Sequence, residues 1–454
     1  MIKIKSDSRK VKSGDIFIAL RGISSDGHSY IEQAIQNGAS KIIAEEGKYS
    51  VETLIVPNTR LYLEKYLKEN YGHYLEKMKI IGFTGTNGKS TSAFFLYSTL
   101  NNLNKKCAYV GTLGYYLDKK VRSLPNTSVE ITDLYEMIVE AYDKGYRYFV
   151  LEVSSQGLIY RRLESIVFDY AIFTNLTQDH LDFHKTMENY AKAKQELFHK
   201  LKSNGKAIVN IDSQYNEYFL LNINTNITYG FNGGNYKLLD YQHNDDGIKF
   251  TYKYLNRIYK IKAPIIGKYN IYNLITTIIV LNELGIEQKQ IEKSIKNIKN
   301  PNGRLDTIKY CNNLIIIDYA HTPDAINNVI EAAKEITKGD IYTVFGCTGD
   351  RDRLKRPIMM GLATDKSKKV IVTIDDPHNE DPNIIVKDML KNIKNNNYLI
   401  ELDRKKAIIK GIELLKKNDT LLILGKGHEE VIIYGKDKIP FNDKQVVLEY
   451  INHS

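Results

Sequence analysis

No stretch of this sequence reaches about 18 uninterrupted apolar residues, so a membrane-spanning helix is not expected. The opening residues, MIKIKSDSRK, lack the apolar core of a secretory signal, and a soluble, cytoplasmic protein is the resulting expectation. Cysteine is scarce: Cys107, Cys311 and Cys347 stand far apart without a C-x-x-C pair. That spacing excludes a disulfide framework and a thiolate zinc site, and reads as buried thiols in a reducing compartment. Low-complexity repeats are lacking apart from short Asn/Lys-rich pieces such as Lys394–Asn397, which read as exposed loop. Tryptophan is absent and carries no functional reading. An uninterrupted basic block is missing too. The 64 Lys and Arg against 54 Asp and Glu leave a charge of +10, but the lysines are scattered. Scatter argues against nucleic acid and for a basic surface that attracts anionic substrates.

What is present is enough apolar residue, 43% of 454, to fill several cores. Up to about Glu76, short β-type runs (DIFIAL, KIIAEE, ETLIVP) alternate with a helical pattern near IEQAIQNGA. From KIIGFTG onward the strands YFVLEVSS, DYAIFTN and KAIVNID alternate with helical stretches such as TSAFFLYSTLNNL. Such apolar runs suit a mainly parallel sheet covered by helices. After a loop at Asn300–Gly303 a third series follows: NLIIIDYA, IYTVFGC, KKVIVTID and TLLILGKG. The expectation is an α/β protein of three domains, at 1–76, 77–300 and 301–454. A small α/β domain and a C-terminal doubly wound domain flank a central P-loop-type sheet.

The sharpest local signal is Ile80–Thr91, a strand running through Thr84, Gly85, Thr86, Asn87 and Gly88 into Lys89, Ser90 and Thr91 at a helix start. Glycines let the backbone wrap phosphate oxygens, the helix N-terminus offers free N–H groups, and Lys89 can neutralise phosphate charge. Ser90 is placed to bind magnesium. The pattern G-x-x-x-x-G-K-[ST] is missed at one position, where Phe83 replaces the first glycine. Three polar clusters follow at expected strand ends: Glu152–Ser155, Thr174–His180 and Asp318–His321. Ligands of parallel sheets gather there. Glu152 is a hard oxygen ligand suited to Mg²⁺ and His180 a further candidate, although a lone His after a strand is more often a structural hydrogen-bonder and a lone Glu a surface charge. His180 and His184 lack the neighbouring Glu of a metalloprotease motif, so a zinc site is discounted.

GFTGTNGKST, LEVSSQGL, TNLTQDHLDFH, YAKAK, NGRLD, DYAHTPDA, GCTGDRDRLKRP and GKGHEE occur in this order, preceded by SDSRKVKSGDIFIAL. Together they resemble the Mur ligases over nearly the whole chain, and among them the ligases that extend UDP-N-acetylmuramoyl-L-alanyl-D-glutamate. The resemblance implies an ATP- and Mg²⁺-dependent, amide-forming enzyme of peptidoglycan synthesis that works through an acyl phosphate. It implies a UDP-binding, an ATP-binding and an amino-acid-binding domain, and a monomer acting on small molecules without nucleic acid.

Site roles follow from the same resemblance. Ser8 and Ser24 match the uridine-diphosphate region. Asn126, Thr127, Ser128, Ser154 and Arg162 match residues that hold the muramyl-dipeptide, with Tyr160 where relatives often carry Gln. Thr84–Thr91, Asn270, Asn273 and Arg304 match nucleotide-holding positions, as do Asp318 and His321, which also sit suitably to orient or deprotonate the incoming amine. Ser90, Glu152, His180 and Lys194 match the magnesium and catalytic set together with Lys89. Lys194 in YAKAK falls where relatives carry a carbamylated lysine, whose carbamate can hold magnesium. Arg351, Asp375, Asp376, Pro377, His378, Gly425 and Glu429 match the amino-acid site.

The segment Asp375–His378 reads Asp-Asn-Pro-Arg in ligases that take meso-diaminopimelate, where the arginine grips the distal carboxylate. Histidine removes that always-charged fork, and Asp376 adds an anion, which together favour L-lysine, with ornithine near it. Meso-diaminopimelate or meso-lanthionine is the alternative, with His378 as hydrogen-bond donor. Two remoter readings are a folylpolyglutamate synthetase, against which the N-terminal SDSR segment argues, and a non-catalytic nucleotide-binding protein.

Overall fold

The protein's computed structural model describes residues 3–22, 25–221, 225–244 and 247–453. Its strands form three main sheets of four, eleven and six strands, and a two-stranded hairpin completes the C-terminal part. The first sheet is parallel, with Ile4–Lys5, Ile16–Ile18, Lys41–Ala44 and Glu52–Ile55 in sequence order. Asn58 then caps a helix, Thr59–Glu76, by accepting from Leu61 N–H. Leu63, Leu67 and Leu75 of this helix share an apolar cluster with Leu134 and Ile138 of the helix Ile131–Asp143, so the first unit docks on the central one. Each such fully buried leucine contributes roughly 1.5–3 kcal/mol. Lys10 pairs with Asp133 at 2.6 Å across that seam, and Lys5 pairs with Glu136.

In the central sheet the strand Lys79–Thr84 lies between Phe168–Phe173 and Tyr148–Glu152, parallel to both. Strand side chains alternate between faces. Ile80 accordingly joins one apolar cluster with the helices Ile131–Asp143 and Met187–His199. Ile81 and Phe83 join the other, with the helices Lys89–Asn102 and Lys268–Glu283. Both faces are covered, and the continuous apolar runs in the sequence follow from that.

The edges of this sheet depart from the parallel pattern. Tyr236–Asn244 still joins in parallel, but Gly247–Tyr254 and Arg257–Ala263 then continue antiparallel on that side, and Gly114–Tyr116 and Lys120–Arg122 do so on the other. Along Gly247–Tyr254, Ile248, Phe250 and Tyr252 are buried while Lys249 and Lys253 are exposed. That half-buried alternation suits an edge ribbon.

The third sheet repeats the two-faced arrangement. Ile315 and Ile317 pack with the helix Arg404–Glu413 and the C-terminal helix Asp443–His453. Ile316 packs under the helices Pro323–Lys334, Lys355–Lys366 and Pro382–Met389. Its parallel strands run Asn313–Asp318, Thr420–Leu424, Ile341–Phe345, Lys369–Val372 and Tyr398–Ile400, so the last long strand is inserted between the first two. Among the described residues no helix is long and apolar enough to cross a membrane.

Candidate active site

The loop after Lys79–Thr84 is built around two glycines that no other residue replaces without strain. Gly85 has φ +148°, and a Cβ there would collide with Thr174 Oγ1. Gly88, at φ +83°, begins the helix Lys89–Asn102, and its Cβ would collide with Asn273 Oδ1. Asn175 holds the loop between them: its carbonyl accepts from Thr86 N–H at 2.8 Å and its side chain from Asn87 N–H at 2.9 Å. Phe83 continues the strand into the core instead of opening the loop early. Lys89 Nζ donates to the carbonyls of Gly85 and Thr86, each at 2.8 Å. Burial lowers its pKa, against the opposing charges of Glu152 and Asp179.

Hard oxygen donors gather beside this loop. Ser90 Oγ donates to Glu152 Oε2 at 2.8 Å, and Thr112 Oγ1 to the same oxygen at 3.1 Å. Tyr109 donates to Glu152 Oε1, which also accepts from Thr112 N–H at 3.0 Å. Burial and Glu152 together hold the Tyr109 phenol protonated. A buried hydroxyl and carboxylate beside a phosphate-binding loop fit a small divalent cation such as Mg²⁺. Lys194, 1% exposed, donates to Gly85 O at 2.8 Å and lies 4.4 Å from the centre of the Tyr190 ring. Burial and the nearby Lys89 push its pKa well down, which favours a neutral amine. His180, in left-handed conformation, lies 3.4 Å from Asp179, and burial lowers its pKa against that carboxylate. His184 is turned to Ser155 at 2.9 Å.

Two adjoining cavities meet at the loop. One, of about 680 Å³, is lined by Asn87, Gly88, Thr91, Asn273, Asp318 and Asp324. The other, of about 670 Å³, is lined by Lys89, Ser90, His180, Lys194, Arg351 and Glu429. Arg304 and His321 line both. Arg304 donates to Ser90 Oγ at 3.2 Å and stacks 4.5 Å over Tyr319. His321 Nδ1 lies 2.8 Å from the Tyr319 carbonyl, so that nitrogen carries the proton and Nε2 is left as an acceptor. Burial lowers its pKa to about 4, and burial raises that of Asp318 to about 6 against the charge of Arg304.

The larger share of the sequence-expected residues converges here. Thr86, Asn126, Thr127, Ser154, Arg162, Asp375, Asp376, His378 and Gly425 line the second cavity as well. Others stand behind its wall. Thr84 donates to Val153 O at 2.9 Å, and Asn270 is bonded to Asn273 at 2.9 Å. Ser128 Oγ accepts from Ser154 N–H at 3.0 Å, and its carbonyl accepts from Arg162 at 3.0 Å. Tyr160 packs on Phe183, 5.7 Å between ring centres, and Pro377 is buried, its peptide beside Gly349. Ser8 sits in the first unit, buried, with its hydroxyl donating to Gln33 at 2.7 Å. Ser24 lies outside the described residues.

Several residues that the sequence reading did not select complete the site. Lys355 reaches across from the third unit to Asp179 at 3.6 Å, and Asn87 donates to Asp324 at 2.7 Å. Against the burial that would raise it, the charges of Lys355, His180 and His321 hold the Asp179 pKa below the usual carboxylate range. Lys426, 0% exposed, lies 2.8 Å from both Asp376 and Glu429 and 3.7 Å from Asp375. The anion that Asp376 adds is paired with this buried lysine, which it shares with Asp375 and Glu429. One oxygen from each of Asp375, Asp376 and Glu429 lies within 4.8 Å of the others, with the Lys426 ammonium among them. Burial still raises Glu429 to about 7, against the opposing charge of Lys426. Glu429 lies three residues from Lys426 in the motif GKGHEE, but Asp376 lies 50 residues away in the chain, so the cluster is not visible in the motif.

Comparison with known proteins accords with this geometry. Residues 83–281 match the Mur ligase middle domain, 303–427 the Mur ligase glutamate ligase domain, and 3–69 the Mur ligase family catalytic domain. The chain is 41% identical to the UDP-N-acetylmuramoyl-L-alanyl-D-glutamate--2,6-diaminopimelate ligase of Fusobacterium nucleatum, covering 98% of this chain and 92% of that one. The ligase of the same name from Clostridium botulinum is 39% identical, over 99% and 95%. A solved structure of such a ligase superposes with a TM-score of 0.69 at 30% identity, covering 100% of this chain and 95% of the other. MurF ligase from Thermotoga maritima, solved with ADP, shares the fold with a TM-score of 0.72 at 20% identity, over 99% and 97%. Similarity of this extent along the whole chain, through all three units and the cleft between them, makes it a member of the Mur ligase family.

Proposed function

We propose that the protein joins a diamino acid to the D-glutamyl carboxyl of UDP-N-acetylmuramoyl-L-alanyl-D-glutamate at the expense of ATP. The observation that carries this reading is the cleft itself, where one cavity wall combines the phosphate loop with Lys194, Arg351 and Glu429, and Glu152 stands behind that wall as the partner of Ser90. The printed names of the relatives support the acceptor. On this reading residues 1–76 hold the uridine diphosphate, 77–300 the ATP and 301–454 the amino acid, and the enzyme works in the cytoplasm as a monomer.

Chemistry follows from the arrangement. The D-glutamyl carboxylate oxygen attacks the γ-phosphorus, its bond to the β-bridging oxygen breaks, and ADP leaves. The neutral amine then attacks the acyl carbonyl, loses a proton and expels phosphate. Lys89 and Arg304 are placed to offset charge on the transferring group. His321, neutral at pH 7 and with Nε2 free, suits orientation or deprotonation of the amine. Ser90, Glu152, His180 and Lys194 as its carbamate would hold Mg²⁺, which when bound supplies positive charge beside the phosphates. The neutral Lys194 amine adds to CO₂ and releases a proton to form that carbamate, an anion that the nearby Lys89 favours.

Three observations bear on the diamino acid. The names of the relatives support 2,6-diaminopimelate. So does Lys438, which pairs with Ile433 across the hairpin Val431–Pro440 and lines the cavity with His378, offering a cation to a distal carboxylate. The second reading is L-lysine, supported by the missing arginine at His378.

ADP release should require both the UDP-linked dipeptide and a diamino acid; release that ignores the dipeptide, or that responds to a folate and glutamate, would refute the proposal. Competition between L-lysine and meso-diaminopimelate at equal concentration, read as kcat/KM, decides the substrate, and a preference of about tenfold either way is decisive.

A further inference from the structure

The amino-acid wall of the cleft consists of two loops, Asp375–His378 and Gly425–Glu429, which follow the strands Lys369–Val372 and Thr420–Leu424. These strands are not neighbours, because Ile341–Phe345 runs between them. Ladder hydrogen bonds therefore cannot set the gap between the loops. Lys426 crosses it at the cleft surface by its contacts with Asp376 and Asp375, and underneath a second side chain spans it. Arg404 donates from Nη1 to the carbonyl of Ile374 at 2.9 Å and from Nη2 to that of Leu424 at 3.0 Å. Those carbonyls immediately precede Asp375 and Gly425. The guanidinium is held in turn by Asp443, with Nε and Nη2 donating to its two carboxylate oxygens at 2.7 and 2.8 Å. Both side chains are 0% exposed.

We propose that Arg404 is a positioning residue for the diamino acid, fixing the spacing of Asp375 from Gly425 and Glu429 while Asp443 fixes Arg404. The inference rests on the amino-acid-ligase reading of this cleft. Arginine suits the task because its planar fork offers rigid donors in several directions at once, whereas a lysine ammonium is a point charge on a flexible stem. Stability alone explains the pair poorly, since a buried ion pair is often replaced by apolar residues without loss. The carboxylate comes from the first residue of the C-terminal helix Asp443–His453, so that helix is joined to the subsite through the guanidinium, beside the Asn442 amide that donates to the Glu429 carbonyl at 3.1 Å.

Arg404→Lys keeps the charge and loses the double reach, and the paired change Arg404→Met with Asp443→Leu removes both charges together should the single variant fail to fold. In a variant that melts like the parent, the KM for meso-diaminopimelate or L-lysine should rise about tenfold or more, with the KM of ATP and of the UDP-linked dipeptide within about twofold. Hydrogen exchange reads the clamp without turnover: it should rise at residues 375–378 and 425–429 and stay unchanged in the phosphate loop. A folded variant with unchanged amino-acid KM, a parallel rise in all three KM values, or unchanged exchange in both loops overturns the proposal. Absence of ADP release by the unaltered protein overturns the ligase reading instead, and the exchange result still decides the clamp.

Discussion

Lys194 shows how far a residue's meaning depends on what surrounds it. In the sequence it is one more lysine on a helix; in the fold it is buried beside Lys89 with its amine on Gly85 O. Lys194→Ala should lower turnover by about two orders of magnitude or more, because the cleft would lose an anionic ligand. A carbamate ¹³C resonance should be present in the parent protein equilibrated with labelled CO₂ and absent from the variant. Glu429 gives a pH dependence. Burial lifts its folded value to about 7 from an ordinary 4.5, so the folded state keeps this proton longer than the unfolded chain does. Its contribution to stability therefore declines as pH rises from about 4.5 through 7. Catalysis runs the other way, because an ammonium group of the substrate needs the carboxylate. The kcat/KM for the diamino acid should fall as pH drops below about 7, and Glu429→Gln should flatten that limb at a lower plateau. Lys89, Glu152 and Asp318 were legible as candidates because motif and strand end coincide. Lys426, Arg404 and Lys355 were not, since a buried cation is identified by partners that the chain brings together from far away.

Among the elements, the phosphate loop was the most legible, because glycine spacing, the preceding apolar strand and the following helix agree with one another. Its tolerance is correspondingly small. Gly88→Ala places a Cβ on Asn273 and forces a left-handed conformation on alanine. The change should cost about 1–3 kcal/mol in denaturant unfolding and raise the KM of ATP about tenfold or more. An unchanged nucleotide KM would show that the loop does not grip phosphate. Strands buried on both faces were readable as continuous apolar runs. The antiparallel edge strands between Tyr236 and Ala263 were not selected, since their alternation of Tyr and Ile with Lys is short, interrupted by turns and close to that of an exposed loop.

At the scale of the whole molecule the cleft is closed by contacts that cross between units: Lys355 with Asp179, Asn87 with Asp324 and Gln178 with Asp352. Lys355→Met keeps most of the length of the side chain and removes the charge that meets Asp179. Turnover should fall about 10- to 100-fold with the KM of ATP little changed, and small-angle scattering should show less compaction on adding a non-hydrolysable ATP analogue. Normal turnover and compaction in that variant would mean that the bridge is incidental. None of these crossings could be read from the chain, because each joins residues whose sequence neighbourhoods share no pattern.

The long reach of the phosphate loop's partners also bears on how the protein is made. Asn87 leaves the ribosome 88 residues before Asn175, which shapes its loop, and Ser92 leaves 181 residues before Asn273. Arg304 follows Ser90 by 214 residues, and Asp324 follows Asn87 by 237. A nascent chain thus displays its glycine-rich segment long before the groups that shape it exist. Ligands stabilise only the states they bind. A nucleotide bound at this loop would accordingly guard the finished protein rather than the half-made one.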